Sequence, residues 1–143
     1  MFIQDDEVLD VVVYYKKLGR IYIACSEKDF NEKIKDEKEI GKYKKLTVSM
    51  KLLTWGLYNE LQDLATLYDE AREINVFSRK KYKEEKLKKL IVRWDATTKN
   101  KDGKEIPATI NSNVIASISP NIAEAILTSY DEQSVFSEEE LGK

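Results

Sequence analysis

Residues 43–50 read YKKLTVSM, with Leu46, Val48 and Met50 alternating against Lys45, Thr47 and Ser49. Successive side chains of a strand point to opposite faces, so this period of two predicts a strand with one buried face. Two further strand patterns lie upstream. Residues 8–15 (VLDVVVYY) are β-branched and aromatic, and residues 21–25 (IYIAC) follow a turn-forming stretch, residues 16–20, that contains Gly19. Together they predict a β-hairpin. An isolated hairpin is marginal in water, so a third strand or a helix must cover it.

The rest of the chain carries helical signals. Ser26 is placed to cap a short helix through residues 27–34, where Phe30 and Ile34 share a face. Residues 35–41 are almost wholly charged and predict a solvated loop. Thr54 is placed to cap a long helix over residues 54–73, TWGLYNELQDLATLYDEARE. Leu57, Tyr58, Leu61, Leu64, Ala65 and Tyr68 recur there at three- and four-residue spacing and predict one apolar stripe. Ser78 can cap a second helix over residues 78–94, SRKKYKEEKLKKLIVRW, with Leu87, Leu90, Ile91 and Trp94 on one face. Residues 97–107, with Asp102-Gly103, read as a turn or loop. A helical turn is expected over residues 111–117. Ser119-Pro120 then opens a final helix to about Tyr130, with Ile122, Ile126 and Leu127 inward.

These patterns predict an α+β protein, a small antiparallel sheet of the N-terminal hairpin plus a third strand, packed against about three helices. The length of 143 residues fits a single domain, taken as residues 1–130, with an acidic flexible tail at residues 131–143. Within that tail Val135, Phe136 and Leu141 are candidates to dock on a partner.

Composition narrows the chemistry. Histidine is absent, which removes the commonest general base and neutral metal ligand. The single cysteine, Cys25, can form neither an internal disulfide nor a cysteine-based zinc site, and reads as a small core residue. No phosphate-cradling glycine loop is present. Asp5, Asp6 and Glu7 read as a solvated charge run, and Glu84-Glu85 and Glu138 to Glu140 lie in polar surroundings. No catalytic residue, metal or cofactor is therefore expected. The N-terminus is acidic, unlike a secretory signal, and no apolar run approaches the roughly 20 residues that span a bilayer. A cytoplasmic protein without a membrane contact is the expectation.

Two surfaces are candidates for binding. Trp55 and Tyr58 open the long helix; core packing is their default, and if exposed they become anchors for a protein partner. The basic helix offers Lys81, Lys88 and Lys89 to a phosphate backbone, with Tyr82 and Trp94 to stack on bases. The plainer alternative makes these lysines the solvated side of an amphipathic helix, so nucleic acid is the weaker expectation.

One order of features points further. A strand leads into a Thr-Trp-Gly helix start (KKLTVSMKLLTWGLYNEL), and a charged helix ends in LIVRWD. A Lys/Asp-Gly turn then precedes Ile-Pro-x-Thr (KDGKEIPATI), and a helix opens on SISPNIAEAIL. Across residues 44–130 this order resembles the tail assembly chaperones of tailed bacteriophages. The N-terminal hairpin lies outside the matched pattern. The resemblance implies a non-enzymatic protein, made during virion assembly, that binds the tape measure protein, recruits tail tube subunits and is absent from the finished particle. A phage structural or connector protein shares many of these features.

Overall fold

The computed structural model describes residues 1–134. It contains mixed helices and strands around a four-stranded antiparallel sheet, the α+β class that the patterns predict. Strand β1 (Val8–Leu18) turns at Gly19, whose φ of 65° lies in the left-handed region that glycine adopts without strain, into β2 (Ile21–Ser26). Ser26 accepts a hydrogen bond from the Asp29 amide and caps α1 (Glu27–Lys33). A one-turn helix, α2 (Glu37–Ile40), interrupts the charged stretch expected to be loop, because the Asp36 carboxylate accepts from the Lys38 amide and nucleates it. Strand β3 (Lys44–Lys51) then pairs antiparallel with β1, setting Val11 opposite Val48 and Val13 opposite Leu46.

Thr54 caps α3 (Trp55–Ala65) by accepting from the Leu57 amide. The helix ends at Ala65, well short of the expected limit at residue 73. Residues after it form β4 (Thr66–Asp69) and β5 (Ile74–Phe77), a separate antiparallel hairpin. Two local interactions account for the difference. The Thr66 hydroxyl donates to the Gln62 carbonyl, and Asp69 accepts from the Ala71 and Arg72 amides while its other oxygen holds the Arg72 guanidinium at 2.7 Å. Side-chain capture of backbone amides by Asp competes with helix propagation and makes a turn. Glu73 completes it at φ 54°.

Ser78 caps α4 (Arg79–Leu90), which also stops short of expectation. Residues Ile91–Trp94 are extended as β6, the fourth strand, with Ile91 opposite Met50 and Trp94 opposite Val48. Ile91 and Val92 are β-branched, and β3 has an open edge whose backbone groups need partners. Pairing there satisfies both strands. The register slips by one residue at Ser49/Met50, and Val92 is the extra residue. The expected loop at residues 97–107 is instead a small hairpin, β7 (Thr97–Lys99) and β8 (Glu105–Pro107). Its turn is held by the Asn100 side chain, which accepts from the Asp102 and Lys104 amides. Helix α5 (Ser112–Ala116) follows, then α6 (Pro120–Ser134), which takes in the first residues assigned to the tail.

The main sheet runs β2-β1-β3-β6. One face is covered by α6 and α4, and there Val11, Val13, Val48, Met50, Leu90 and Ile126 are fully buried. Leu87, Ile91, Ile122 and Leu127 join them, as the two shorter helical stripes predict. Tyr130 packs in the same core and donates its hydroxyl to the Lys51 carbonyl at 3.0 Å. The opposite face carries α1, where Phe30 stacks on Tyr14 with centroids 3.9 Å apart.

Leu90→Ala removes a fully buried side chain and should cost about 2–5 kcal/mol in urea unfolding. Leu67→Ala, on the hairpin outside this core, should cost under about 0.5 kcal/mol. Comparable losses at both positions would mean that the hairpin shares the core.

Candidate protein-binding surface

The long-helix stripe does not reach the core as expected. Of its members, Leu61 and Ala65 are fully buried and Leu57 is half-buried. Trp55 is 82% exposed, Tyr58 42% and Leu64 39%. Helix α3 packs against one helix, α4, and not between two layers, so only a narrow stripe of it is covered. Tyr68, expected on the same stripe, lies on β4 and is 62% exposed.

The β4–β5 hairpin extends this apolar exposure. Cross-strand partners share a face: Leu67, Ile74 and Val76 lie on one side and Tyr68 and Phe77 on the other. Leu67, Ile74 and Phe77 are all exposed and Val76 half-buried. Among the described residues no third strand joins either edge, and the hairpin meets the body through α3 and through its base. There the Ser78 amide donates to the Ala65 carbonyl at 2.7 Å, and Phe77 leans on Tyr82 with centroids 5.7 Å apart. A free two-stranded hairpin with apolar side chains on both faces is the kind of patch that marks an interaction site.

Helix α4 is basic, but five of its six lysines, all except Lys80, pair with carboxylates among the described residues. Lys81 pairs with Glu85 at 3.1 Å, Lys88 with Glu84 at 2.7 Å and Lys89 with Glu60 at 3.0 Å. Lys83 and Lys86 reach Glu124 and Asp131 of α6. Lys88 holds the Glu84 carboxyl below its ordinary value by hydrogen bond and charge. Of the proposed stacking rings, Tyr82 is half-buried under Phe77, and Trp94 lies in β6 with its indole N–H donating to the Ala108 carbonyl at 2.9 Å. The structure therefore separates the parts that the sequence placed on one nucleic-acid-binding face.

Cys25 is half-buried opposite Tyr14, on the face away from the main core rather than in it. Burial pushes its thiol pKa up and the nearby Asp29 adds to the shift, so the reactive thiolate is disfavoured. Among the described residues no three Asp, Glu or Cys side chains converge to hold a metal. No helix there is long and apolar enough to cross a membrane. Phe136, Val135, Leu141 and Glu138 to Glu140 lie outside the described residues.

Comparison with known proteins finds no family model, curated protein or solved structure that matches this chain. The surface must therefore be read from its own chemistry. The residues that spacing alone missed are Leu67, Ile74 and Phe77. A signal for them was available in the alternation of TLYD and INVF about the acidic DEARE turn.

Iodoacetamide should alkylate Cys25 more slowly at neutral pH than it alkylates a free small thiol. The rate should climb with a midpoint above the ordinary thiol value of about 8.5. A midpoint below that value would show an activated thiolate and contradict this placement.

Proposed function

We propose that this protein is a non-catalytic protein-binding factor of tailed-phage virion assembly, of the tail assembly chaperone kind, acting in the host cytoplasm. Its clients are the tape measure protein and the tail tube subunit. The observation that carries the reading is the β4–β5 hairpin, apolar on both faces and paired by no other strand among the described residues. A long helical client presents an apolar stripe, and Leu67, Val76 and Ile74 form a surface of matching character. Trp55 and Tyr58, toward the other end of α3 and about 15 Å away by helical rise, extend the contact with aromatic anchors. The order of sequence features across residues 44–130 supports the same reading. The lack of histidine and the raised thiol pKa of Cys25 favour a role in binding over one in chemistry.

The test is co-expression with the tape measure protein encoded in the same genome, followed by purification through a tag on either partner. A stable complex is expected. Tyr68→Ser combined with Leu67→Ser should weaken it by about tenfold or more, and Trp55→Ala by a smaller factor, as for loss of interface anchors. Lys89→Ala should leave it unchanged. If neither the tape measure protein nor the tube subunit associates in either orientation, the reading fails.

A further inference from the structure

The end of the sheet farthest from the C-terminus of α6 holds a cleft of about 480 Å³. That is within the roughly 300–1,000 Å³ usual for ligand sites. The β1–β2 hairpin forms one wall and the β7–β8 hairpin the other. Five lysines line it, Lys16, Lys17, Lys42, Lys44 and Lys99, against one carboxylate, Glu105. Lys16 and Lys42 are both held by Glu39 at 3.0 Å. Lys17, Lys44 and Lys99 are exposed, and among the described residues no carboxylate lies within ion-pair distance of them. Three such ammonium groups around one cavity repel one another and are relieved by an anion.

The floor is aromatic. Tyr15 and Tyr22 are half-buried with centroids 6.1 Å apart. Their rings, with Thr97 and Thr98, also wall a second hollow of about 320 Å³ lined by Leu46, Trp94 and Ile118. A cationic cavity thus shares two tyrosines with a hollow of mixed lining, where Leu46, Trp94 and Ile118 stand beside Lys45 and Asp95. The arrangement suits a ligand with an anionic end and a flat ring. A phosphate suits this lining better than a carboxylate: among the described residues no arginine lines either hollow, and paired carboxylate recognition favours the arginine fork, whereas lysine serves phosphate as a point charge.

We propose that this cleft binds a nucleotide unit, its phosphate on Lys17, Lys44 and Lys99 and its base against Tyr15 and Tyr22. The unit comes either from a free nucleotide or from a single strand, where base–tyrosine stacking and a basic groove are the usual means of capture. The site lies apart from the β4–β5 hairpin, and its function stands or falls independently of the protein-binding reading.

Three probes test it on the full chain at low salt: a labelled single-stranded oligodeoxythymidylate of roughly eight nucleotides, adenosine monophosphate and inorganic pyrophosphate. The oligonucleotide or the mononucleotide should bind. Oligonucleotide affinity should fall with salt at a log–log slope of about −1.5 to −2, for two or three phosphates. Lys17→Glu and Lys44→Glu should each weaken binding about tenfold, since each removes and reverses a phosphate contact. Both positions are exposed, and circular dichroism melting of each variant checks that it folds; Lys44→Gln gives a milder second variant. Lys81→Glu, Lys88→Glu and Lys89→Glu on α4 should change affinity by less than about twofold. Equal affinity per nucleotide for both nucleotide probes identifies the free nucleotide as the ligand; tighter oligonucleotide binding identifies the strand. The proposal is overturned by no binding of any probe, by pyrophosphate binding as tightly as the nucleotides, or by a larger effect at α4 than at Lys17 and Lys44.

Discussion

Strand β3 is hydrogen-bonded along both edges, to β1 on one side and β6 on the other, and the rest of the architecture follows from that double pairing. Its inward residues Leu46, Val48 and Met50 face the same side as Val11 and Val13. A one-residue slip would send that whole set to the opposite face, so the register is strongly specified. The apolar face must then be covered. Helix α6 lies over β1 and β2, and α4 delivers Leu87 and Leu90 before the chain enters the sheet as β6. Polar ties hold the layers in place: Ser129 donates to the Val12 carbonyl and Tyr130 to that of Lys51.

This arrangement leaves α3 and the segment after it with little to pack on. A single neighbouring helix covers a narrow stripe, and β4–β5 project beyond it. Several exposed apolar residues gather in this region, Trp55, Tyr58, Leu67, Tyr68, Ile74 and Phe77, while others such as Phe2, Leu18 and Ile21 lie elsewhere on the surface. Burial of such a set against a partner is favourable at about 25 cal/mol per Å² of apolar surface. The hairpin can also stay extended while free, because its turn is fixed locally by Asp69 and Arg72 rather than by the core.

Charge is distributed by the same logic. On α4 every lysine but Lys80 finds an acidic partner within the helix or on α3 and α6, so most of a run of bases in the sequence becomes a set of local ion pairs in the fold. Exposed pairs of this kind add little to stability, but they reduce the field available to a polyanion. At the far end of the sheet the opposite happens. Lysines separated by more than eighty positions in the sequence, Lys17 and Lys99 among them, are brought around one cleft with few carboxylates.

Local signals were read correctly where the deciding interaction is local. The caps at Ser26, Thr54 and Ser78 act within three residues, and the alternation of YKKLTVSM needs only the geometry of a single strand. The helical turn at Asn111 and the opening of α6 at Pro120 belong to the same kind, and so does the α+β class as a whole. Helical spacing misled at Tyr68 and at Ile91–Trp94. In both places a pattern compatible with a helix was overruled: at Asp69 by a side-chain turn, and at Ile91 by the unpaired edge of β3. The exposure of Trp55, the pairing of the α4 lysines and the meeting of Lys17, Lys44 and Lys99 depend on which surfaces the packing leaves uncovered. By itself the sequence determined the amphipathic elements, because their periods follow from backbone geometry. Only the tertiary structure decided which apolar and charged groups remain available to a partner, because burial and ion pairing depend on distant residues meeting in space.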